Sequence, residues 1–114
     1  MAKPISLNVT LKWPDVSDDY VVRYEGHLVG RIRLGGERYM HGTTWEWSIT
    51  VPMAMPVWAN ATAESRDAAI KDFSVAWGRL LDATPPERLA RALELERASV
   101  ARQQTMAVRK TDTI

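Results

Sequence analysis

The fold is decided by the stretch from Tyr20 to Leu81, whose clearest segments are WEWSITV at 45–51 and SRDAAIKDFSVAWGRLL at 65–81. In the first segment, apolar side chains occupy every second position, which is typical of a strand with one buried face. In the second, they recur every three or four residues, as in an amphipathic helix. We therefore expect an α+β fold, in which an antiparallel sheet of three to five strands packs on one helix.

The N-terminal part of the chain predicts another strand. Apolar residues alternate with polar ones from Ile5 to Trp13, and Pro14 removes the amide donor that would continue the strand. Residues 14–19 then predict a turn. This pattern places Trp13 with the inward-facing side chains, and it leaves Trp58, in a proline-flanked segment, as the exposed tryptophan.

A hairpin is predicted on either side of Glu25-Gly26-His27, and two registers are open. A two-residue loop pairs Tyr24 with His27, and Glu25-Gly26 is a common signal for it. A three-residue loop pairs Tyr24 with Leu28 instead. We favour the second register because it places no arginine on the buried face, whereas a slip of one residue moves every side chain across the sheet.

Two helices are predicted in the C-terminal half. Ser65 suits the N-cap of the first helix. Thr84-Pro85-Pro86-Glu87 suits the start of a second helix, with Thr84 as the cap and Glu87 completing a capping box. That helix is expected to end near Arg102. The predicted organisation is an α+β domain over residues 1–82, a C-terminal helix over 83–102 and a flexible tail over 103–114.

Composition narrows the class of protein without identifying it. The chain has 114 residues, a formal net charge of +1 and no cysteine. A charge this small does not predict an acidic partner, and the lack of cysteine is typical of a reducing compartment. No apolar run approaches the roughly 20 residues of a membrane helix, and no signal peptide is recognisable. We expect a cytoplasmic protein with no membrane partner.

No catalytic or ligand signature accompanies this architecture. His27 and His41 are the two histidines, and Glu25 and Glu37 lie near them in sequence. Their spacing matches no metal site, so we expect no metal and no cofactor. An enzyme that uses either histidine as a general acid or base is the least favoured hypothesis, and it requires that their two loops meet.

Two surfaces are candidates for binding. In the favoured register, the outer face of the sheet carries Arg23, Arg31 and Arg33. The second helix presents a thin apolar stripe around Leu89 and Leu93, with Glu96 in its middle. We expect a non-enzymatic interaction module that binds a protein partner or a second copy of itself as a homodimer. The alternative is nucleic-acid binding through the arginine-bearing face, since arginines contact phosphates.

Three motifs resemble those of a known group of proteins. They are Val29-Gly30-Arg31-Ile32, then Trp45-Glu46-Trp47-Ser48-Ile49, then the capped helix start at 65–70 with Phe73 and Trp77. Residues 20–81 are similar to a group of small uncharacterised bacterial proteins, many from soil and plant-associated bacteria. The resemblance implies the hairpin, the tryptophan-rich strand and the capped helix, and it implies no activity. By fold analogy, a three-stranded sheet backed by one helix is similar to integrase arm-binding modules, which read DNA with the sheet, and equally to small partner-binding domains. Fold alone does not define function.

Overall fold

The computed structural model describes the backbone of residues 6–35 and 44–112, with side chains to residue 103. Five strands form one antiparallel sheet in chain order, and two helices follow them. The strands are β1 (Leu7–Trp13), β2 (Val16–Tyr24), β3 (His27–Leu34), β4 (Trp45–Ile49) and β5 (Asn60–Ala63). A short 3-10 turn (Val57–Ala59) precedes β5, and the helices are α1 (Arg66–Ala83) and α2 (Pro86–Asp112). The predicted α+β class is confirmed.

The core lies between the sheet and α1. The helix packs mainly on β3, β4 and β5. Trp77 and Phe73 are almost fully buried, and the Phe73 ring meets the Trp47 ring edge-on at 6.0 Å between centroids. Burial of such side chains is the main favourable term in folding, at roughly 1.5–3 kcal/mol each. The apolar stripe predicted for the first helix is therefore its packing face.

Both predicted hairpin registers are present in the second hairpin, one on each side of a β-bulge. Tyr24 pairs with His27 around the two-residue turn, but Val22 pairs with Gly30. Val29 is the extra residue, and it is fully buried in the core. A bulge inserts one residue into one strand and so shifts the ladder by one. The turn has the two-residue form, and the rest of the ladder has the register with Arg31 and Arg33 on the open face.

The first hairpin differs from the prediction. Its turn contains just Pro14 and Asp15, because Trp13 already pairs with Val16 and β2 starts there. Leu7 and Val9 pack against the core, whereas Trp13 is 53% exposed. The prediction that Trp13 belongs with the buried side chains is wrong, since the strand extends past the area that α1 covers. Trp58 is half-buried instead, with the Arg79 guanidinium 4.2 Å from its ring centroid.

The helix boundaries follow from local hydrogen bonds. The Ser65 hydroxyl accepts the Ala68 amide at 3.1 Å, as the predicted N-cap requires. Thr84 does not cap the second helix; its hydroxyl donates to the Leu80 carbonyl at 2.6 Å and closes the end of α1. The backbone of α2 continues to Asp112, well beyond the predicted end at Arg102. The described helices include none with the length and hydropathy to cross a bilayer.

Candidate binding surfaces

The face of the sheet opposite α1 carries the three arginines of the sequence hypothesis. Arg31 donates two hydrogen bonds to the Asp19 carboxylate, at 2.9 Å from Nε and 2.6 Å from Nη2. This charge-assisted pair lowers the pKa of Asp19 below its ordinary value, chiefly through the hydrogen bonds from Arg31. Both partners belong to neighbouring strands, so the pair also links β2 to β3. Arg31 is therefore engaged within the sheet.

The other basic side chains of this face are less strongly held. Arg33 donates from Nε to Glu46 across the β3–β4 pair at 3.1 Å, and about half of its side chain is exposed. Arg23 is exposed and donates to the Thr10 hydroxyl at 3.3 Å. Lys12 lies close enough to Asp19 to help lower its pKa. The structure thus brings the three arginines to one face, together with carboxylates that offset part of their charge.

Beside Arg31 and Arg33 the open face forms a shallow depression of about 460 Å³. Its other walls come from β4, the residue after it and β5, and they include four small polar side chains. These are Ser48, Thr50, Asn60 and Thr62. A small ligand site normally buries most of its ligand within apolar walls, with a few converging polar groups. This open and shallow surface is better suited to a macromolecule than to a small substrate.

The residues predicted for the second binding surface pack against the sheet. Leu89 and Leu93 are half-buried against the core, and Ala92 between them is buried. Glu96 is also buried, and its Oε1 accepts the Leu28 amide at 2.9 Å. The ladder between β3 and β4 ends at Gly30, followed by a hydrogen bond from the Thr50 amide to the Val29 carbonyl. Glu96 therefore accepts a hydrogen bond from a backbone amide that lies outside the β3–β4 ladder. Little of the apolar stripe on α2 is exposed to solvent.

His27 is held between α2 and the hairpin turn. Its Nδ1 lies 2.9 Å from Oε2 of Glu96, and its Nε2 lies 3.4 Å from Nη2 of Arg97. The tautomer with its proton on Nδ1 satisfies both contacts, since it donates to the carboxylate and accepts from the guanidinium. The ring therefore links α2 to the start of β3. His41 and Glu37 lie outside the described residues, so the hypothesis that the two histidine loops meet stays untested.

No group of three or more His, Cys, Asp or Glu side chains with the geometry of a metal site occurs in the described part of the chain. The expectation that the protein has no metal and no cofactor stays a prediction.

Sequence reasoning missed an apolar patch at the end of the first hairpin. Leu11 is 43% exposed, and it lies across from Tyr20, whose hydroxyl accepts a hydrogen bond from Arg66 at 2.9 Å. Beyond that covered tyrosine, Trp13 and its cross-strand partner Val16 are both exposed. The sequence could have indicated this patch, because one helix is too narrow to cover the apolar face of five strands. Leu11 and Trp13 of this patch lie on β1, an edge strand of the described sheet, and Val16 lies on β2.

Comparison with known proteins does not place the chain in a family. No family model, no curated protein and no solved structure matches it significantly. The resemblance to small bacterial proteins over residues 20–81 therefore stays a prediction.

Proposed function

We propose that this protein is a non-enzymatic interaction module that binds an extended segment of a protein chain through edge strand β1. The observation that carries the proposal is the exposed apolar patch of Leu11, Trp13 and Val16, which lies on and beside that edge. We further infer that the protein acts in the cytoplasm, because its cysteine-free sequence suits a reducing compartment.

The backbone of β1 supports this proposal. An edge strand offers a row of amide and carbonyl groups that another extended chain can pair with. Proteins usually guard such edges with charges, prolines or very short strands. β1 has seven residues, and Lys12 is its single charged side chain. Main-chain pairing would supply affinity, and the apolar patch would select the side chains of the incoming segment.

The proposal is tested by selecting displayed random peptides against the full chain. Enriched peptides should bind the wild-type protein and a Val75→Glu variant, because Val75 is 68% exposed on α1, away from the edge. They should bind Leu11→Glu and Trp13→Glu variants more than about tenfold more weakly, since a charge replaces an apolar contact. Peptides that bind all variants equally, or a selection that enriches none, would overturn the proposal.

A second candidate function is nucleic-acid binding by the open face of the sheet. The observation in its favour is an excess of positive charge among the described residues of that face, where four basic side chains accompany two acidic ones. They are Lys12, Arg23, Arg31 and Arg33, with Asp19 and Glu46. The observation against it is that Arg31 and Arg33 already pair with carboxylates, which weakens their attraction for phosphates.

Fluorescence anisotropy of labelled mixed-sequence DNA and RNA tests this second function. If the open face binds phosphates, affinity should fall steeply between about 50 and about 200 mM salt, and Arg23→Ala should reduce that salt dependence. Arg79→Ala is the matched control, because Arg79 stacks on Trp58 and lies on α1. An absence of binding at the lower salt concentration would eliminate the nucleic-acid function and leave the protein-binding proposal intact.

A further inference from the structure

We infer that the segment that pairs with β1 is β1 of a second copy of this chain, in an antiparallel arrangement about a two-fold axis near Thr10. This inference rests on the proposed function, because it names the partner of the same edge. The outcome is a homodimer with a continuous ten-stranded sheet, in which each subunit contributes its five strands.

The residue pattern of β1 is complementary to itself. Leu7, Val9 and Leu11 occupy alternate positions and share one face of the strand, and Trp13 continues this alternation past an irregularity in the pairing with β2. About an axis at Thr10, two antiparallel copies pair Leu7 with Trp13 and Val9 with Leu11. Every apolar side chain of β1 is then placed across from an apolar side chain of the other copy. Residues that face each other in this way are the units that stabilise a sheet.

The exposure of these side chains increases from the start of the strand to its end. A two-fold axis pairs the start of one strand with the end of the other. Leu7 and Val9 are half-buried by their own subunit, whereas Leu11 and Trp13 are 43% and 53% exposed. The axis places the exposed end of each strand beside the half-buried end of the other. Each subunit would therefore extend its core to cover the apolar patch of its partner.

The single charged side chain of β1 is compatible with pairing of the strand with itself. Lys12 faces Asn8 of the other copy in the centred register, so the two lysines do not oppose each other. The opposite edge offers no comparable surface. β5 has four residues, Asn60–Ala63, and its alanines are its largest apolar side chains. The symmetric contact is therefore expected at β1, and a C2 interface of this kind closes after two copies.

The expected dimer is weak and reversible. Two seven-residue strands pair over a contact smaller than the roughly 1,200–2,000 Å² that stable interfaces bury. Sedimentation velocity of the full chain, from about 1 µM to about 1 mM, should show a monomer that converts to a dimer as concentration rises. Leu11→Glu and Trp13→Glu should weaken dimerisation more than about tenfold, and Val75→Glu should leave it unchanged. Circular dichroism and thermal unfolding verify that each variant is folded.

Cross-linking locates the axis, and it uses the absence of cysteine from the natural sequence. A Thr10→Cys variant treated with a short bis-maleimide should form a covalent dimer, because the two introduced thiols meet at the axis. A Thr62→Cys variant on the exposed part of β5 is the matched control and should stay monomeric.

The inference is overturned if the chain is monomeric up to the highest concentration, or if the edge variants dimerise as well as the wild type does. Failure of the proposed function is a separate result. If displayed peptides bind β1 while the chain stays monomeric, the module has a different partner and the proposed function stands. If neither peptides nor a second copy bind at β1, both are wrong.

Discussion

Glu96 and His27 lie 2.9 Å apart, from Oε2 to Nδ1, and this contact fastens α2 to the turn of the second hairpin. The other carboxylate oxygen of Glu96 accepts the Leu28 amide at the same distance. One side chain thus receives a ring N–H and a backbone N–H from consecutive residues. Hydrogen bonds to a carboxylate are stronger than those between neutral groups. Glu96 therefore contributes to the docking of α2 on β3, beside the apolar contacts of Leu89, Ala92 and Leu93.

Replacement of Glu96 by alanine should lower the free energy of unfolding by about 1–3 kcal/mol, because it leaves the Leu28 amide without its acceptor. Urea denaturation measures the change, and hydrogen exchange at the Leu28 amide should accelerate. Glu94→Ala is the matched control. The Glu94 side chain is 72% exposed and pairs with Arg91, so its loss should cost less than about 0.5 kcal/mol. Equal effects of the two substitutions would contradict the role given to Glu96.

Acid should weaken the link between Asp19 and Arg31. The hydrogen bonds from Arg31 lower the pKa of Asp19 in the folded state below its ordinary value of 3.8. A carboxyl group with a depressed folded pKa stabilises the fold fully above its unfolded pKa. That contribution is lost as pH falls through the lower folded pKa. The free energy of unfolding should therefore decline as pH falls from about 4.

An Asp19→Asn variant should lose less stability than the wild type over the same acid range, because the amide does not titrate. Urea denaturation at a series of pH values measures both slopes. Asp18→Asn is the control, since Asp18 is exposed and next in sequence. A variant at Asp19 whose acid slope equals that of the wild type would show that the Arg31 pair does not contribute to acid sensitivity.

The parts of the fold that the sequence predicted correctly are those whose signal is local. The Ser65 cap and the stripe through Phe73 and Trp77 depend on spacing within one helix, and the structure confirms them. The hairpin register could not be predicted from local alternation. The bulge at Val29 gives the hairpin one pairing near the turn and another beyond it. The bulge keeps Val29 on the core side while Arg31 stays on the open face. Simple alternation would have put those two residues on the same face.

The candidate sites were harder to predict because their residues depend on contacts between distant elements. Glu96 interrupts an apolar stripe and so resembled a surface residue, but its partners Leu28 and His27 lie 68 and 69 positions earlier in the chain. Trp13 continues a regular alternation and so resembled a core residue. Its exposure depends on where α1 ends over the sheet, which the pattern of β1 does not contain.

The turn of the second hairpin should become more stable with a different first residue. Glu25 has φ +50° and Gly26 has φ +82°, so both central residues have the positive φ of a type I′ turn. Asparagine tolerates this conformation better than glutamate does. Glu25→Asn should therefore raise the free energy of unfolding by about 0.5–1 kcal/mol.

Thermal and urea unfolding measure that gain. Glu64→Asn is the matched control, because Glu64 is exposed and is not among the described residues with positive φ. It should change stability by less than about 0.5 kcal/mol. A Glu25→Asn variant that is no more stable than the control would show that the positive φ of Glu25 carries no significant cost.

Gly30 should tolerate no side chain, because it lies where the bulged strand meets α1. A Cβ at this position would overlap the ring of Phe73 and would lie 2.7 Å from the Ser48 carbonyl oxygen. Gly30→Ala should therefore lower the free energy of unfolding by about 1–3 kcal/mol or more, as overpacking does in other protein cores.

A double-mutant cycle with Phe73→Leu separates the contact with the Phe73 ring from the contact with the Ser48 carbonyl. If the ring is the main obstacle, Gly30→Ala should cost less in the Phe73→Leu background, by about 0.5 kcal/mol or more. An equal cost in both backgrounds would assign the effect to the Ser48 backbone instead, and an unchanged stability in Gly30→Ala would contradict the close packing of α1 on β3.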